Sequence, residues 1–262
     1  MSLRVPTAAS EGFEAPTAEE FWQPLVGEGA FALTRPMVLM ALATLIVGAV
    51  MVLGTRRLAV VPGKGQAALE GVYGIVRNSI ARDMIGAAHF RPHLPLLFSL
   101  FTLILVNNLF GIIPPLQYPT MSRIGFPIAL TLFVYVVYLG IGIRRKGVGG
   151  YLRGLVPHGL PAAVVPLIFL LELITYFVTR PVTLALRLFG NMFAGHILLL
   201  LFALGGEYML THGGLGLKLV SIPTFLMAFV LTVFELLIEF LQAYIFTLLA
   251  AFYIADSYAE EH

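Results

Sequence analysis

PAAVVPLIFLLELITYFVTRPVTLALRLFGNMFAGHILLLLFAL, residues 161–204, is almost continuously apolar and yet carries Glu172, Arg180, Arg187, Asn191 and His196. Wound as one straight helix, these roughly 44 residues would extend about 66 Å, twice the hydrocarbon thickness of a bilayer. Either two spans meet at a tight turn near Thr179, Arg180 and Pro181, or a single long helix lies steeply tilted. Residues 222–256 pose the same problem. Two neighbouring overlong segments that both hold polar groups predict a tilted pair packed against another protein surface, because lipid alone would not tolerate the charges.

Composition supports this reading. Of 262 residues, 59% are hydrophobic and only 11% charged, and the mean hydropathy is +0.92, outside the range of soluble globular domains. The fold class expected is all-α, a polytopic membrane protein. A net charge of +2 with scattered basic residues excludes a nucleic-acid surface. The absence of cysteine excludes disulfides, thiolate catalysis, cysteine-bound zinc and CxxCH haem attachment. Residues 1–35 are polar and acidic (Glu11, Glu14, Glu19, Glu20, Glu28), lack the basic flank of a signal peptide, and are expected to be retained as an N-terminal segment. Residues 36–262 form a single transmembrane domain.

Spans are expected at about 37–54, 94–113, 127–143, 161–204 and 222–256. Gly54 with Arg56 and Arg57 stops the first, Pro114 and Pro115 the second, and Arg144, Arg145 and Lys146 the third. Residues 65–87 alternate apolar and charged groups (Glu70, Arg77, Arg82, Asp83) and suit an interfacial amphipathic helix or a solvated linker helix. Arginine and lysine concentrate in the 55–93 and 144–160 loops, whereas the other side holds Arg4, Arg35, Arg123 and Lys218. By the positive-inside rule the N-terminus is then outside (periplasmic) and the C-terminus cytoplasmic, with five crossings of a bacterial plasma membrane.

Thr183, Arg187 and Asn191 are four apart and share one helix face, while His196, nine residues after Arg187, points about 180° away. Glu172 lies on the order of 22 Å from Arg187 along the axis and cannot neutralise it. Glu235, Glu239 and Gln242 form a second polar stripe, and the second span adds Asn107 and Asn108. An Arg, a His, three Glu, several Asn and a Gln at membrane depth suggest a wetted proton path. Blander readings exist: Asn107 as interhelical glue, Arg180 snorkelling beside its proline, His196 with Glu235 as a structural ion pair, and Arg187 neutralised by Glu235 or Glu239.

The run RPVTLALRLFGNMFAGH (Arg180 to His196) resembles the signature of subunit a of the F-type ATP synthase membrane sector, also called subunit 6 or the ATPase A chain. The resemblance continues in VNNLFGIIP (Val106 to Pro114) and LQAYIFTLL (Leu241 to Leu249) and covers about residues 35–256. It implies a stator subunit beside a rotating c-subunit ring, with two aqueous half-channels that do not meet, and with the last two long helices tilted against the ring. Arg187 would face the ring, Gln242 would lie near it, and Asn191 would line the path. His196 and Glu235 look like the pair gating the outer half-channel, with the acid and the base in the reverse order of some members. Glu239 is an extra acid that belongs to the outer path or pairs with His196. Asn108 falls at the family's second-span asparagine, and Gly111 stands where some relatives have an acid. Glu172, with Thr175 one turn on, is near the acid lining the cytoplasmic half-channel, although its spacing to Arg187 is one residue longer than in some members. The partners so implied are the c-subunit ring, peripheral-stalk b subunits, membrane lipid and protons. No cofactor, metal, nucleic acid or nucleotide is implied, and the chain is not an enzyme on its own.

Two other classes compete. A proton-coupled secondary transporter could use Glu235, Glu239 and Arg187 to bind an anion, but its expected repeats with broken helices are not legible. An intramembrane hydrolase could hold a metal with His196 and Glu235, yet no HExxH set is present, and no GxxxxGK[ST] loop offers a nucleotide site.

Overall fold

The computed structural model describes residues 13, 16, 24–27, 32–56, 59–113, 118, 120–156, 161 and 163–258. Most of the N-terminal segment, Arg57, and the Pro114 and Pro115 stop of the second span therefore lie outside the described residues. A small antiparallel hairpin, β1 (Pro24–Val26) with β2 (Leu33–Thr34), precedes the helices α1 (Arg35–Thr55), α2 (Lys64–Gly74), α3 (Asp83–Ile85), α4 (Leu94–Leu109), α5 (Gly125–Arg153), α6 (Val165–Ile174), α7 (Arg180–His212) and α8 (Leu215–Tyr258). Among the described residues, five helical stretches are long and apolar enough to cross a membrane: Arg35–Thr55, Arg91–Leu109, Gly125–Arg153, Val165–His212 and Leu215–Tyr258. The chain is an all-α polytopic membrane protein.

The overlong segment is one continuous helix. A π-helical stretch, Thr175–Thr179, joins α6 to α7 without a turn, so the alternative of two spans meeting near Arg180 is overturned. Pro181 does not break the rod because it stands in the first turn of α7, where the wider π geometry before it relieves the proline's demand on the preceding carbonyls. A π turn also takes up one extra residue in a helix, which suits the longer spacing between Glu172 and Arg187. At 48 residues the rod is about 72 Å long. It fits a hydrocarbon core of about 30 Å only if it is steeply inclined or projects from it. Arg187 stands beside its midpoint.

α7 and α8 form an antiparallel pair joined at Gly213 and Gly214, with one register along their whole length. Arg180 faces Asp256, Asn191 faces Gln242, His196 faces Glu235 and Gly206 faces Phe225, pairs whose residue numbers add to between 431 and 436. Gly206 makes the close approach possible, since a Cβ there would come within 3.2 Å of the Phe225 ring.

The core lies between α4, α8 and the stretch from α2 to α3. Leu97, Phe101 and Ile104 of α4 and Phe246, Ala250 and Ile254 of α8 are fully buried, and so are Val76, Ile80 and Ala81 from the π-helical stretch Ile75–Arg82 that links α2 to α3. That amphipathic segment is thus docked by its apolar stripe, and the solvated-linker reading fails. Gly86, at φ 88°, ends it in a conformation that disfavours any side chain. The third crossing outlasts its expected end at residue 143: helical structure continues through Arg144, Arg145 and Lys146 and breaks at Gly147, φ 70°, after which Tyr151 folds back onto Gly142.

Candidate functional site

One face of α7 carries the exposed polar residues. Thr183, Arg187 and Asn191 are all exposed, while Leu184, Leu188, Met192 and His196, one position on in the helical cycle, are buried. The four-residue spacing therefore does what helical geometry requires, with one polar row facing outward and one mostly apolar row facing the core. Elsewhere the exposed surface of the pair is largely apolar, with Val182 and Leu186 on α7 and Leu237, Phe240 and Leu241 on α8 among its exposed side chains. Neither Glu235 nor Glu239 forms an ion pair with Arg187. The intrachain neutralisation of Arg187 is thereby ruled out.

Asn191 bridges the two surfaces. Its side-chain amide donates a 2.7 Å hydrogen bond to Oε1 of the buried Gln242. Beneath it, His196 Nδ1 and Glu235 Oε1 stand 4.0 Å apart, both buried. That is within ion-pair range but too long for a hydrogen bond, and it leaves space for a bridging water. A cavity of about 230 Å³ between α7 and α8 runs from Asn191 past Ala194 and Gly195 to Glu235, Phe234 and Ile238. Small residues keep it open: a Cβ on Gly195 would sit 3.3 Å from Glu235 Oε1.

One turn further along α8, Glu239 is completely buried, and neither of its carboxylate oxygens has a hydrogen-bond partner among the described residues. Asn108 of α4 donates to the Glu239 backbone carbonyl at 3.2 Å, while its own Oδ1 is left without a partner. Glu235, Glu239, Asn108 and Gln242 thus present several unsatisfied polar atoms within one buried layer of α4, α7 and α8. Dry burial of such atoms costs on the order of 1–3 kcal/mol each, so this layer is suited to water. Asn107, by contrast, is fully used: it donates to the Leu103 carbonyl at 2.7 Å and accepts from Thr120 at 2.8 Å, the structural role expected of it.

The sequence did not signal what holds Arg180. Its Nη1 meets Asp256 Oδ2 at 2.8 Å, its guanidinium lies 3.5 Å from the Tyr176 ring centroid, and the Tyr176 hydroxyl donates to the same Asp256 oxygen. Snorkelling is not needed. Asp256 stands 76 positions from Arg180, inside the last apolar helix, and only the antiparallel register brings the two together. The clue was a third acid in a segment whose other two, Glu235 and Glu239, lie more than a dozen residues earlier. Glu172, half-buried on α6, and Thr175, exposed in the π turn, are not joined to the buried layer by any side-chain bond.

Comparison with known proteins yields a consistent picture. The family described as ATP synthase A chain matches residues 37–255. The chain is 43% identical over 270 residues to the ATP synthase subunit a of a Nocardioides species, covering 98% of each. It is 39% identical over 265 residues to that of Pseudarthrobacter chlorophenolicus, covering 100% of each. With that of Frankia alni it shares 40% identity over 266 residues, 98% of this chain and 91% of the relative.

Proposed function

The chain belongs to the ATP synthase A chain family, and from that premise we propose that it is the proton-translocating stator subunit of the synthase's membrane sector, with Arg187 facing the carboxylate of a rotating c-subunit ring. The observation that supports this reading is the exposure of Arg187 near the midpoint of a long apolar helix, with no carboxylate bound to it among the described residues. A guanidinium in lipid costs about 2.5–3.5 kcal/mol even on lenient insertion scales, so a partner surface has to supply the counter-charge.

The chemistry follows from the side chain. Guanidinium does not deprotonate in proteins and cannot relay a proton. It favours the ionised form of a carboxylate brought beside it. A ring acid passing Arg187 therefore releases its proton on one side and regains one on the other, and direct leakage between the two half-channels is blocked. Each proton crossing 100 mV supplies about 2.3 kcal/mol, available for rotation only while that seal holds.

In this reading the buried layer of His196, Glu235, Glu239 and Asn108 lines the outer half-channel, and the cavity from Glu235 to Asn191 leads from it toward the ring. Glu172 and Thr175 line the cytoplasmic half-channel. The N-terminus is outside and the C-terminus cytoplasmic, as the loop arginines favour, and peripheral-stalk b subunits hold the chain against the torque of the ring.

Cysteine cross-linking tests the docking face, helped by the absence of native cysteine. Single cysteines at Thr183 or Asn191, on the Arg187 face, are expected to form disulfides with a cysteine placed next to the ring carboxylate. A cysteine at Leu45, exposed on α1, is expected to form none. Cross-linking from Leu45 but not from Thr183 or Asn191 overturns the assignment.

A further inference from the structure

A second cavity, about 600 Å³, opens between the end of α1, the α2–π–α3 segment and the start of α4, within the size range of small-molecule sites. Met51, Phe90, Leu94 and Phe98 give it apolar walls, and Tyr73 stands edge-on to Phe98 with ring centroids 5.6 Å apart. Two arginines also line it, Arg77 from the π-helical stretch and Arg91 from the turn before α4. Both are exposed, and neither is paired with a carboxylate among the described residues. Glu70, an acid on the same amphipathic segment, is already engaged by Gln66.

The setting selects the occupant. α1 ends at Thr55 and α4 starts at Leu94, so the cavity lies where two apolar spans leave the membrane, the level of lipid headgroups. Exposed Val50 and Val52 flank Met51 and continue an apolar surface from the cavity into the bilayer. Unpaired arginines beside an apolar cleft that runs into lipid match a phosphodiester joined to acyl chains, and the apolar walls offer nothing to a free phosphate ion. We propose that this cavity binds one phospholipid with an anionic headgroup, its phosphate held by Arg77 and Arg91 and an acyl chain lying along Met51 and Phe98. The assignment does not depend on the proton path.

The test uses the whole membrane complex in phosphatidylcholine vesicles containing a minority of phosphatidylglycerol or phosphatidylcholine that bears a photoactivatable group in one acyl chain. Labelling is located by mass spectrometry and referred to Leu132, an exposed residue of α5 that does not line the cavity. Labelling at Met51 and Phe98 by the phosphatidylglycerol probe is expected to exceed that by the phosphatidylcholine probe, by about five-fold for each arginine. Arg77→Gln and Arg91→Gln are each expected to lose about that factor, and the double variant all of the preference, with Leu132 labelling unchanged. If the double variant does not assemble, the two single variants decide. Equal labelling by both probes, or a preference that survives the substitutions, overturns the proposal. Suppression by millimolar inorganic phosphate at constant ionic strength identifies a free-phosphate site instead and overturns it too.

Discussion

Asn191 and Gln242 lie 51 positions apart in the chain and are joined by one hydrogen bond, from an exposed amide on α7 to a buried one on α8. It links the face that bears Arg187 to the layer that holds His196, Glu235 and Glu239. Interhelical hydrogen bonds in membranes average about 0.6 kcal/mol. Asn191→Leu and Gln242→Leu should therefore leave the assembled complex intact yet lower ATP-driven proton pumping in inverted vesicles. Wild-type pumping in both variants would show that the bridge is only structural.

For Arg187 the expected outcome is starker. Arg187→Ala removes an exposed membrane charge, which on insertion scales favours the membrane-embedded chain by about 2.5–3.5 kcal/mol. Assembly should persist while ATP-driven pumping is abolished. Arg187→Lys should fail as well, because a desolvated ammonium can give up its proton where a guanidinium cannot. Coupled pumping retained by the alanine variant would refute the role proposed for this residue.

Glu239 separates stability from function. Its buried oxygens have no hydrogen-bond partner among the described residues, so Glu239→Leu should leave the thermal stability of the complex unchanged or raise it by about 1–3 kcal/mol. Proton flux through the membrane sector should nevertheless fall. Gain of stability with unchanged flux would remove Glu239 from the outer path.

His196 and Glu235 should behave as a pair. Single alanine replacements are each expected to depress proton flux, while the exchange His196→Glu with Glu235→His should restore part of it, since one acid and one base again face each other across the 4.0 Å gap. Equal damage in all three variants would argue against coupling between the two side chains.

Asp256→Asn should weaken the hold on Arg180. A hydrogen bond to a charged group is worth roughly 1.5–3 kcal/mol, and the loss should appear as a lower melting temperature of the complex in detergent. An unchanged melting temperature would show that the stacking of Arg180 on Tyr176 suffices by itself.

What the chain revealed before folding was chiefly what helical periodicity encodes. The spacing of Thr183, Arg187 and Asn191 predicts their common face, and the half-turn offset predicts that His196 points to the opposite side; the first face is exposed and His196 is buried. Whether residues 161–204 bend at Arg180 was not legible, because proline both opens and breaks helices, and a π turn has no compositional mark of its own. Contacts set by the register of α7 against α8 were legible only where the family resemblance named both partners, as for His196 with Glu235; for Gln242 the resemblance named Arg187, whereas its hydrogen bond comes from Asn191. Arg180 with Asp256 had no such guide. The depth at which α2–α3 sits was equally hidden: Val76 and Ile80 mark an apolar stripe, but the stripe does not say whether lipid or the core of α4 and α8 will cover it.

The exposure of Arg187 has a consequence for how the complex is made. If the proposed ring covers Arg187, a newly inserted copy without it differs from an assembled copy in carrying a permanent cation uncovered on its surface. Until it is covered, that face favours local thinning of the bilayer and promiscuous association with any acidic transmembrane helix. A membrane protease or chaperone that senses the lipid-exposed cation can therefore tell orphan from partner-bound subunits without reading any other part of the chain.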